Sequence, residues 1–232
     1  MTTYTAFLKS LELSWKSPKY RYQQKIPFIP LESEINDLIA GCGKKISTTL
    51  QLLKETGMRI GEASRLKWTD INTRNNTVIL NDPEKNSNPR IWKVSKKLIN
   101  MIQSLPKVHE RVLGRSSVRD KQHMFKRQRL RVARKLENPR LTQITFHTIR
   151  HWKGTMEYHK THDIMHVKTL LGHKSIQSTM LYINLEQAIF DEVDDEFHVK
   201  VTETLEEACK LMEVGFEYVT DMDGKKLFRK RK

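Results

Sequence analysis

Two short motifs and two distant side chains constrain this fold most, because they can act on one ligand only if the fold brings them together. His147 and Arg150 lie one helical turn apart, so both can face the same anion. His173 belongs to a Gly-His pair, Tyr182 comes nine residues later, and Arg59 lies far upstream. Arginine and histidine side chains bind phosphate, and a tyrosine hydroxyl can attack it. The set predicts a phosphate-binding site that carries its own nucleophile.

The charge of the chain is strongly positive and unevenly distributed. Lys and Arg number 42 against 27 Asp and Glu, which gives a net charge of +15 and a pI near 9.8. Residues 90–160 hold 19 basic and 4 acidic residues, whereas residues 186–223 hold 2 and 13. A basic surface can simply aid solubility, but this concentration favours a polyanionic partner. We therefore expect double-stranded DNA to bind the middle of the chain and the acidic segment to face away from it.

The spacing of cysteines and histidines argues against a metal centre or a disulfide scaffold. Cys42 and Cys209 form no CxxC pair, which fits a reducing compartment. A zinc-protease motif starting at His147 would need Glu at position 148, where Thr stands. The remaining histidines of this region are interpreted as surface or packing residues, namely His151, His159, His162 and His166. The sequence thus predicts no metal and no cofactor.

Neither a membrane span nor a secretion signal is predicted. No apolar run approaches the roughly 20 residues that cross a bilayer. The N-terminus lacks an apolar signal core. We expect no membrane partner and a cytoplasmic, nucleoid-associated location.

Apolar periodicity predicts a mainly α fold with a small antiparallel β-sheet, an α+β class. Gly57 and Gly172 mark helix ends. Residues 77–80 and 91–94 are typical of short strands, and the turn formers between them place Lys85 near the tip of a hairpin. Helices are predicted over residues 30–41, 47–55, 62–68, 96–105, 121–136, 146–158 and 163–171, and a last one, capped by Ser175, carries Tyr182.

The helix predicted over residues 121–136 carries the expected DNA-binding residues. Phe125 and Val132 fall on its apolar side. Its arginines outnumber its lysines, which favours phosphate contact over a merely solvated surface, because the guanidinium fork matches phosphate geometry. The predicted DNA-binding residues are Lys126, Arg127, Arg129, Arg131 and Arg134.

The acidic segment that follows Tyr182 is predicted to form a helix and a β-hairpin. Thr204 and Glu207 have capping-box spacing at the start of the helix. Asp223 and Gly224 are typical of a hairpin turn. The apolar stripe of the helix is expected to be Leu205, Ala208, Cys209 and Met212. Such a stripe suits docking onto a neighbouring copy and packing within the same chain equally well.

Strand transfer at a phosphate needs a nucleophile, cations on the phosphate and a proton donor for the leaving oxygen. Free tyrosine has a pKa of about 10, so nearby cations have to help it ionise. Arginines can hold the non-bridging oxygens and stabilise the charge of the transition state. Lysine can protonate the leaving 5′ oxygen, and histidine can donate to the phosphate or manage the tyrosine proton. Together with the basic middle of the chain, the set indicates DNA strand transfer.

Four segments, in this order, resemble the boxes of the tyrosine recombinases, the phage-integrase and Xer-like family, particularly its archaeal or mobile-element integrases. Residues 55–62 (ETGMRIGE) resemble the first arginine box, and residues 145–151 (TFHTIRH) resemble the His-x-x-Arg box. Residues 170–175 (LLGHKS) resemble the Leu-Gly-His box, and residues 179–182 (TMLY) resemble the box of the nucleophile. The similarity covers roughly residues 28–189.

The resemblance implies a mostly helical catalytic domain and a site-specific DNA recombinase or integrase. Its chemistry would run through a 3′-phosphotyrosyl intermediate, without metal or ATP. The family's lysine lies in a β-hairpin between the arginine boxes, which makes Lys85 the match and Lys93 its rival. The implied catalytic residues are Arg59, Lys85, His147, Arg150, His173 and Tyr182. The family also implies a tetramer on DNA, assembled with help from the segment after the tyrosine.

The resemblance divides the chain into three parts and meets two departures. Residues 1–26 are expected to be a linker or the remnant of an N-terminal core-binding domain, residues 27–190 the catalytic domain, and residues 191–232 the acidic tail. Only about 26 residues precede the catalytic part, so half of the family's clamp on DNA would be missing. Residues 150–155 (RHWKGT) replace the Thr and small residues usual in the second box, so packing there is expected to differ.

Two other functions use similar residues. A type IB topoisomerase has nearly the same set, and the Leu-Gly-His box favours a recombinase over it. A non-catalytic DNA-binding protein derived from an integrase is the other alternative, and the intact set of six residues argues against it.

Overall fold

The structure is a computed structural model that describes residues 3–12, 26–190, 197–222 and 225–231. This part of the chain is mostly helical and carries two small antiparallel sheets, which confirms the predicted fold class. Its helices are α1 (Thr3–Ser10), α2 (Glu32–Gly41), α3 (Lys44–Thr56), α4 (Ile60–Arg65), α5 (Lys96–Gln103), α6 (Val118–Lys135), α7 (Phe146–Thr161), α8 (Ile164–Leu171), α9 (Gln177–Phe190) and α10 (Leu205–Glu213). Its strands are β1 (Ile71–Asn72), β2 (Thr77–Leu80), β3 (Arg90–Lys93), β4 (Phe197–Thr202), β5 (Glu217–Met222) and β6 (Lys225–Arg231).

Helix α3 is the centre of the main core, because it packs against α2, α5 and α7. Leu50, Leu52 and Leu53 are fully buried on it, so apolar side chains cover more than one face of this helix. Gly57 ends the helix in the left-handed conformation, with φ at 65°, and its N–H donates to the Leu53 carbonyl. The predicted glycine cap is therefore confirmed, and it turns the chain directly into Arg59.

The first sheet has the order β1-β2-β3 and contains the predicted hairpin. Strands β2 and β3 pair antiparallel, with Val78 opposite Trp92, whereas the two-residue strand β1 was not predicted. Burial alternates along both strands, so Val78 and Leu80 face the core from β2. Arg90 and Trp92 face it from β3. An arginine therefore occupies an inward position at the start of β3.

Helix α6 begins three residues before its predicted start at residue 121. Ser117 and Asp120 form a capping box, since each side chain accepts the other's backbone N–H. Lys121 consequently falls in the first turn, is buried, and donates to the Ser116 carbonyl. The helix start predicted at Lys121 was therefore three residues too late, because the capping box of Ser117 and Asp120 lies upstream of it.

Helix α4 is shorter than predicted and does not continue to Trp68. It ends at Arg65, and a 3₁₀ turn spans Trp68–Asp70. The Leu66 carbonyl accepts from Val112 N–H at 2.9 Å, and Trp68 N–H donates to the Glu110 carbonyl at 3.1 Å. These long-range backbone bonds replace helical ones, and nothing local in the sequence signals them.

After α9, residues 197–222 and 225–231 form a small βαββ unit with the sheet order β4-β6-β5. The predicted helix and the two hairpin strands are present, strand β4 was not predicted, and the turn at Asp223-Gly224 lies outside the described residues. Thr204 caps α10 by accepting from Glu207 N–H at 3.3 Å.

The predicted apolar stripe of α10 is largely wrong. Ala208 is buried, but Leu205 and Met212 are 72% and 61% exposed, and Cys209 is exposed as well. Leu211 and Phe228 complete the small core instead. The helix packs on the sheet formed by β4, β5 and β6, and this tertiary contact decides which side of α10 is covered.

No helix within the described ranges is long and apolar enough to cross a membrane. The division of the chain at residues 26 and 190 stays a prediction.

Candidate active site

Arg59 is fixed at the N-terminus of α4 by a buried carboxylate. Its backbone N–H donates to Glu62 Oε2 at 2.8 Å, and its Nη1 donates to Glu62 Oε1 at 3.0 Å. Burial would raise the pKa of the Glu62 carboxyl, but the hydrogen bond from Arg59 N–H and the charges of Arg90 and Arg59 outweigh it and lower the pKa. An ionised Glu62 thus fixes the position of the arginine of the first box.

Arg59, Lys85 and His147 line one cavity of about 420 Å³. Lys85 is exposed in the loop between β2 and β3 and has left-handed backbone angles, with φ at 55° and ψ at 39°. Desolvation, followed by the charges of Arg150, Lys85 and Arg59, lowers the pKa of His147. The imidazole is neutral, and the cations around it make the cavity favourable for an anion.

Arg150 does not line this cavity but lies near Arg59 and His147, and it is buried, with 2% of its surface exposed. Thr145 caps α7 and sets the helical turn that separates His147 from Arg150. Arg150 Nη1 donates to the Gly57 carbonyl at 2.7 Å, and Nη2 donates to the Leu171 carbonyl at 2.8 Å. Burial, and next the charge of Arg59, lowers the pKa of Arg150 to about 10. Its guanidinium therefore ties the first box to the Leu-Gly-His box.

His173 follows a left-handed glycine, Gly172, whose φ is 68°. Its Nδ1 lies 3.0 Å from Thr179 Oγ1, a residue of α9 that is itself buried. Burial, and then the charges of Arg150 and Arg59, lowers the pKa of His173 to about 3. The ring is therefore neutral at physiological pH.

Tyr182 lies on α9 beside His173, with the two rings nearly parallel and their centroids 6.3 Å apart. It is 2% exposed and packs over Gly154, where a Cβ would come within 2.6 Å of its ring. Burial raises the pKa of Tyr182 more than the charges of Arg150 and Arg59 lower it. The hydroxyl is therefore protonated in this arrangement.

His151, interpreted from the sequence as a surface or packing residue, lies against the tyrosine. Its Nδ1 is 3.5 Å from Tyr182 Oη, and its ring makes an edge contact with His147 at a centroid distance of 4.5 Å. Burial, followed by the charges of His147 and Arg150, lowers the pKa of His151 to about 4. The i,i+4 spacing of His147 and His151 is the sequence signal of this proximity, since residues four apart lie on the same face of a helix.

The five basic residues predicted to bind DNA do not share one stripe of α6. Lys126 and Arg129 line the same cavity as Arg59, whereas Arg127 and Arg131 line a separate depression. Arg134 is exposed. The helix thus presents two basic edges, one toward the candidate site and one away from it.

Two of these five residues, both arginines, also have structural partners. Arg129 donates to the Ile144 carbonyl and lies 5.6 Å from the centre of the Phe125 ring. Arg131 donates to the Gly41 carbonyl at 3.0 Å. Both therefore have remaining guanidinium donors for a ligand, but their positions are set by the protein.

Within the described ranges, no group of three or more histidine, cysteine or carboxylate side chains is arranged to hold a metal ion. His159 Nδ1 pairs with Glu186 at 2.8 Å, and His166 Nε2 pairs with Glu157 at 3.1 Å. These histidines hold neighbouring helices together.

Comparison with solved structures shows the fold of the tyrosine-recombinase catalytic domain. The crystal structure of XerA recombinase matches with a TM-score of 0.57 and 21% identity, over 77% of this chain and 67% of that one. The Tn1549 transposon integrase in complex with transposon right end DNA matches with a TM-score of 0.58 and 18% identity, over 81% and 76%.

Residues 31–188 match the model of the Phage integrase family, and the chain belongs to this family. Among curated relatives, the tyrosine recombinase XerC of Chlamydia muridarum (strain MoPn / Nigg) is 28% identical over 173 residues, which cover 70% of this chain and 53% of that protein. The chain therefore spans about half the length of this relative.

Proposed function

We propose that this chain cleaves and rejoins double-stranded DNA as a site-specific recombinase or integrase, through a 3′-phosphotyrosyl intermediate on Tyr182. The observation that carries the proposal is the convergence of the four boxes and the loop that carries Lys85. Arg59, Lys85 and His147 share one cavity, the buried Arg150 lies near both Arg59 and Tyr182, and the tyrosine stands beside two neutral histidines. Membership of the phage-integrase family and the likeness to an integrase solved with DNA support the same function.

The proposed reaction is an in-line displacement at one phosphate. Arg59 and Arg150 neutralise the charge of the non-bridging oxygens, and His147 and His173 donate hydrogen bonds to the phosphate. The bond from Tyr182 Oη to phosphorus forms while the bond to the 5′ oxygen breaks. Lys85 gives its proton to that leaving oxygen. Attack by another 5′ hydroxyl on the phosphotyrosine then reverses these steps and rejoins the strand.

The tyrosine proton needs an acceptor during the first step. His151 Nδ1 is the nitrogen that Tyr182 Oη contacts in this structure, and its lowered pKa leaves it neutral and able to accept. The hydroxyl is also almost fully buried. We expect DNA binding to move α9 so that Tyr182 reaches the cavity.

Double-stranded DNA is the proposed substrate and self-association on DNA, as a tetramer, the proposed assembly. Lys126 and Arg129 extend the positive charge of the cavity, and Arg127, Arg131 and Arg134 offer further phosphate contacts. Such a protein acts inside the cell, at the nucleoid. No metal and no cofactor takes part in the proposed steps, since the side chains supply both the positive charge and the proton.

The test is covalent trapping on DNA. The substrates are duplexes from the ends of the mobile element on which such an integrase would act, each nicked next to the cleavage point. Cleavage releases the short fragment that carries the 5′ hydroxyl, so the strand cannot be rejoined. Wild-type protein should therefore stay attached to the 3′ end. Tyr182→Phe keeps the packed ring but removes the nucleophilic oxygen, so binding should persist and the adduct should disappear. Tyr158→Phe is the matched control, because Tyr158 packs against the same small core but its ring contacts His162, whereas the Tyr182 ring contacts His151 and His173.

Three results would contradict the proposal. Equal trapping by Tyr182→Phe means that another residue attacks. Loss of trapping with EDTA, restored by magnesium or zinc, means that a metal does the work assigned here to side chains. Tight DNA binding without any adduct from the wild type favours a non-catalytic DNA-binding protein. Strand exchange between two labelled duplexes, against mere relaxation of supercoiled DNA, separates a recombinase from a type IB topoisomerase.

A further inference from the structure

The loop that carries Lys85 is held from both ends, although the lysine itself is not. The side chain of Lys85 makes no hydrogen bond or ion pair with another residue in the described ranges, so the backbone of the loop sets the region that its ammonium can reach. That backbone is left-handed at a non-glycine residue, a conformation that persists only where the surroundings impose it. The contacts of the loop on either side of Lys85 therefore determine the geometry of the proposed acid.

The end of the loop before Lys85 is fixed to the first box. Glu84 N–H donates to Glu62 Oε1 at 3.2 Å, and Glu84 Oε1 accepts from Arg65 Nη1 at 3.0 Å. Gly61 leaves the space that the Glu84 carboxylate fills, since a Cβ there would lie 1.9 Å from Oε1. The same carboxylate of Glu62 fixes Arg59.

The end of the loop after Lys85 is fixed to the Leu-Gly-His box by two buried side chains. Ser87 Oγ donates to the Gly172 carbonyl. Arg90, with only 4% of its side chain exposed, donates from Nη1 to the Leu171 carbonyl at 2.5 Å and from Nη2 to Glu62 Oε1 at 2.8 Å. The side chains of Arg90 and Ser87 pack directly against Gly172, because a Cβ at this position would lie 2.7 Å from Arg90 Nε and 2.8 Å from Ser87 Oγ.

Arg90 therefore joins the Lys85 loop to the two segments that present the phosphate-binding side chains. The Leu171 carbonyl accepts from Arg90 and Arg150 together, so the two guanidinium groups share one anchor. Glu62 in turn bridges Arg90 and Arg59. Burying an arginine costs desolvation free energy, which its two oriented partners offset. Lysine cannot replace it, because an ammonium lacks the fixed geometry of the guanidinium fork.

We propose that Arg90, assisted by Ser87, is a positioning residue that sets the distance between Lys85 and the phosphate held by Arg59 and Arg150. This inference rests on the proposed function, in which Lys85 protonates the leaving 5′ oxygen. Arg90 does not touch the DNA. Its loss should weaken leaving-group protonation while the phosphate still binds, and that effect differs from a general loss of structure.

A sulfur leaving group separates these possibilities. A DNA strand with a 5′-bridging phosphorothiolate at the scissile position expels a thiolate, whose parent thiol has a pKa of about 8.5, so it leaves without a proton donor. Trapping rates on the oxygen and sulfur substrates are compared for the wild type, Lys85→Ala, Arg90→Lys and Ser87→Ala. Arg90→Lys keeps a cation beside Glu62, and Ser87→Ala removes a single hydroxyl.

We expect Arg90→Lys to slow attachment to the oxygen substrate by about tenfold or more, a share of what a general acid supplies. With sulfur, its rate should return to near that of the wild type, as for Lys85→Ala, and Ser87→Ala should show a smaller effect of the same kind. Arg140→Lys is the matched control, because Arg140 also pairs with a buried glutamate, Glu34, but lies outside the cavity lining. Its rates should not change.

Equal slowing of both substrates by Arg90→Lys and Ser87→Ala would overturn the proposal, and so would wild-type rates on both. If Arg90→Lys fails to fold, as judged by its thermal transition, Ser87→Ala alone decides the outcome. If sulfur does not rescue Lys85→Ala although the wild type forms its adduct, Lys85 is not the acid and the inference is wrong with it. If the wild type forms no adduct, the proposed function itself fails.

Discussion

Acidification should destabilise this protein in a pH range where its carboxylates do not yet titrate. His173 and His151 have pKa values near 3 and 4 because burial and neighbouring cations oppose their charged forms. In the unfolded chain a histidine titrates at about 6.5. Below that pH the histidines bind protons in the unfolded state but stay neutral in the folded state. Their contribution to the free energy of unfolding is therefore full above pH 6.5 and falls as the pH drops toward the folded pKa values.

The magnitude follows from the two displaced pKa values. Each histidine contributes a slope of about 1.4 kcal/mol per pH unit once the pH is well below 6.5. Between pH 6.5 and 5.0 each should therefore cost about 2 kcal/mol, a large share of the 5–15 kcal/mol that typical domains possess. Glu62, Glu34 and Glu157 have lowered pKa values, so their contribution is lost only at lower pH.

The assay is urea unfolding at pH 7.5, 6.5, 5.5 and 5.0, followed by circular dichroism. The double variant His151→Gln, His173→Gln should lose the larger part of the slope and keep the share of His147, whose pKa burial also lowers. His123→Gln, which changes an exposed histidine of α6, should keep the whole slope. A wild-type free energy of unfolding that stays constant from pH 7.5 to 5.0 would refute the reasoning. An unchanged slope in the double variant would show that other groups cause it.

Three further predictions concern packing, charge and the tail. Gly154→Ala should lower the free energy of unfolding by about 1–3 kcal/mol, because the new Cβ would lie 2.6 Å from the Tyr182 ring. Gly43→Ala is the control and should not destabilise the protein, because its Cβ would have its nearest neighbour at 3.5 Å. Equal melting temperatures of the two variants would contradict this prediction. Arg127→Gln and Arg131→Gln should each reduce the log–log salt slope of DNA binding by about 0.9, and an unchanged slope would remove them from the DNA surface. Deleting residues 191–232 should spare attachment to a single site but impair assembly on paired sites, as measured by gel shift; an unfolded truncation would show that the tail belongs to the core.

Much of this fold is visible in local sequence signals. The helix and strand signals of the main core depend on residues a few positions apart, such as the left-handed glycine that ends α3. The prediction for α10 was wrong about its buried side, because Leu211 packs with Phe228 of β6, a tertiary contact that the periodicity of the helix does not show. Helix α4 failed at its end for a similar reason, the long-range bond between Leu66 and Val112.

The candidate site divides in the same way. The motif residues are recognisable because their spacing is short within each box. The contacts among boxes are not, since Arg90 meets Leu171 across 81 positions and Tyr182 meets His151 across 31. The predicted strand began at residue 91, so the inward position of Arg90 and the carbonyl that it meets are seen only in the folded chain.

The most direct test of the central claim is the identity of the atom that joins protein to DNA. Wild-type protein trapped on a nicked duplex is digested with protease and nuclease, and the remaining nucleotide–peptide is sequenced by tandem mass spectrometry. The account predicts a nucleotide linked through its 3′ phosphate to Tyr182, in the peptide that contains residues 175–200. A nucleotide on another residue, or one attached through its 5′ phosphate, would contradict it.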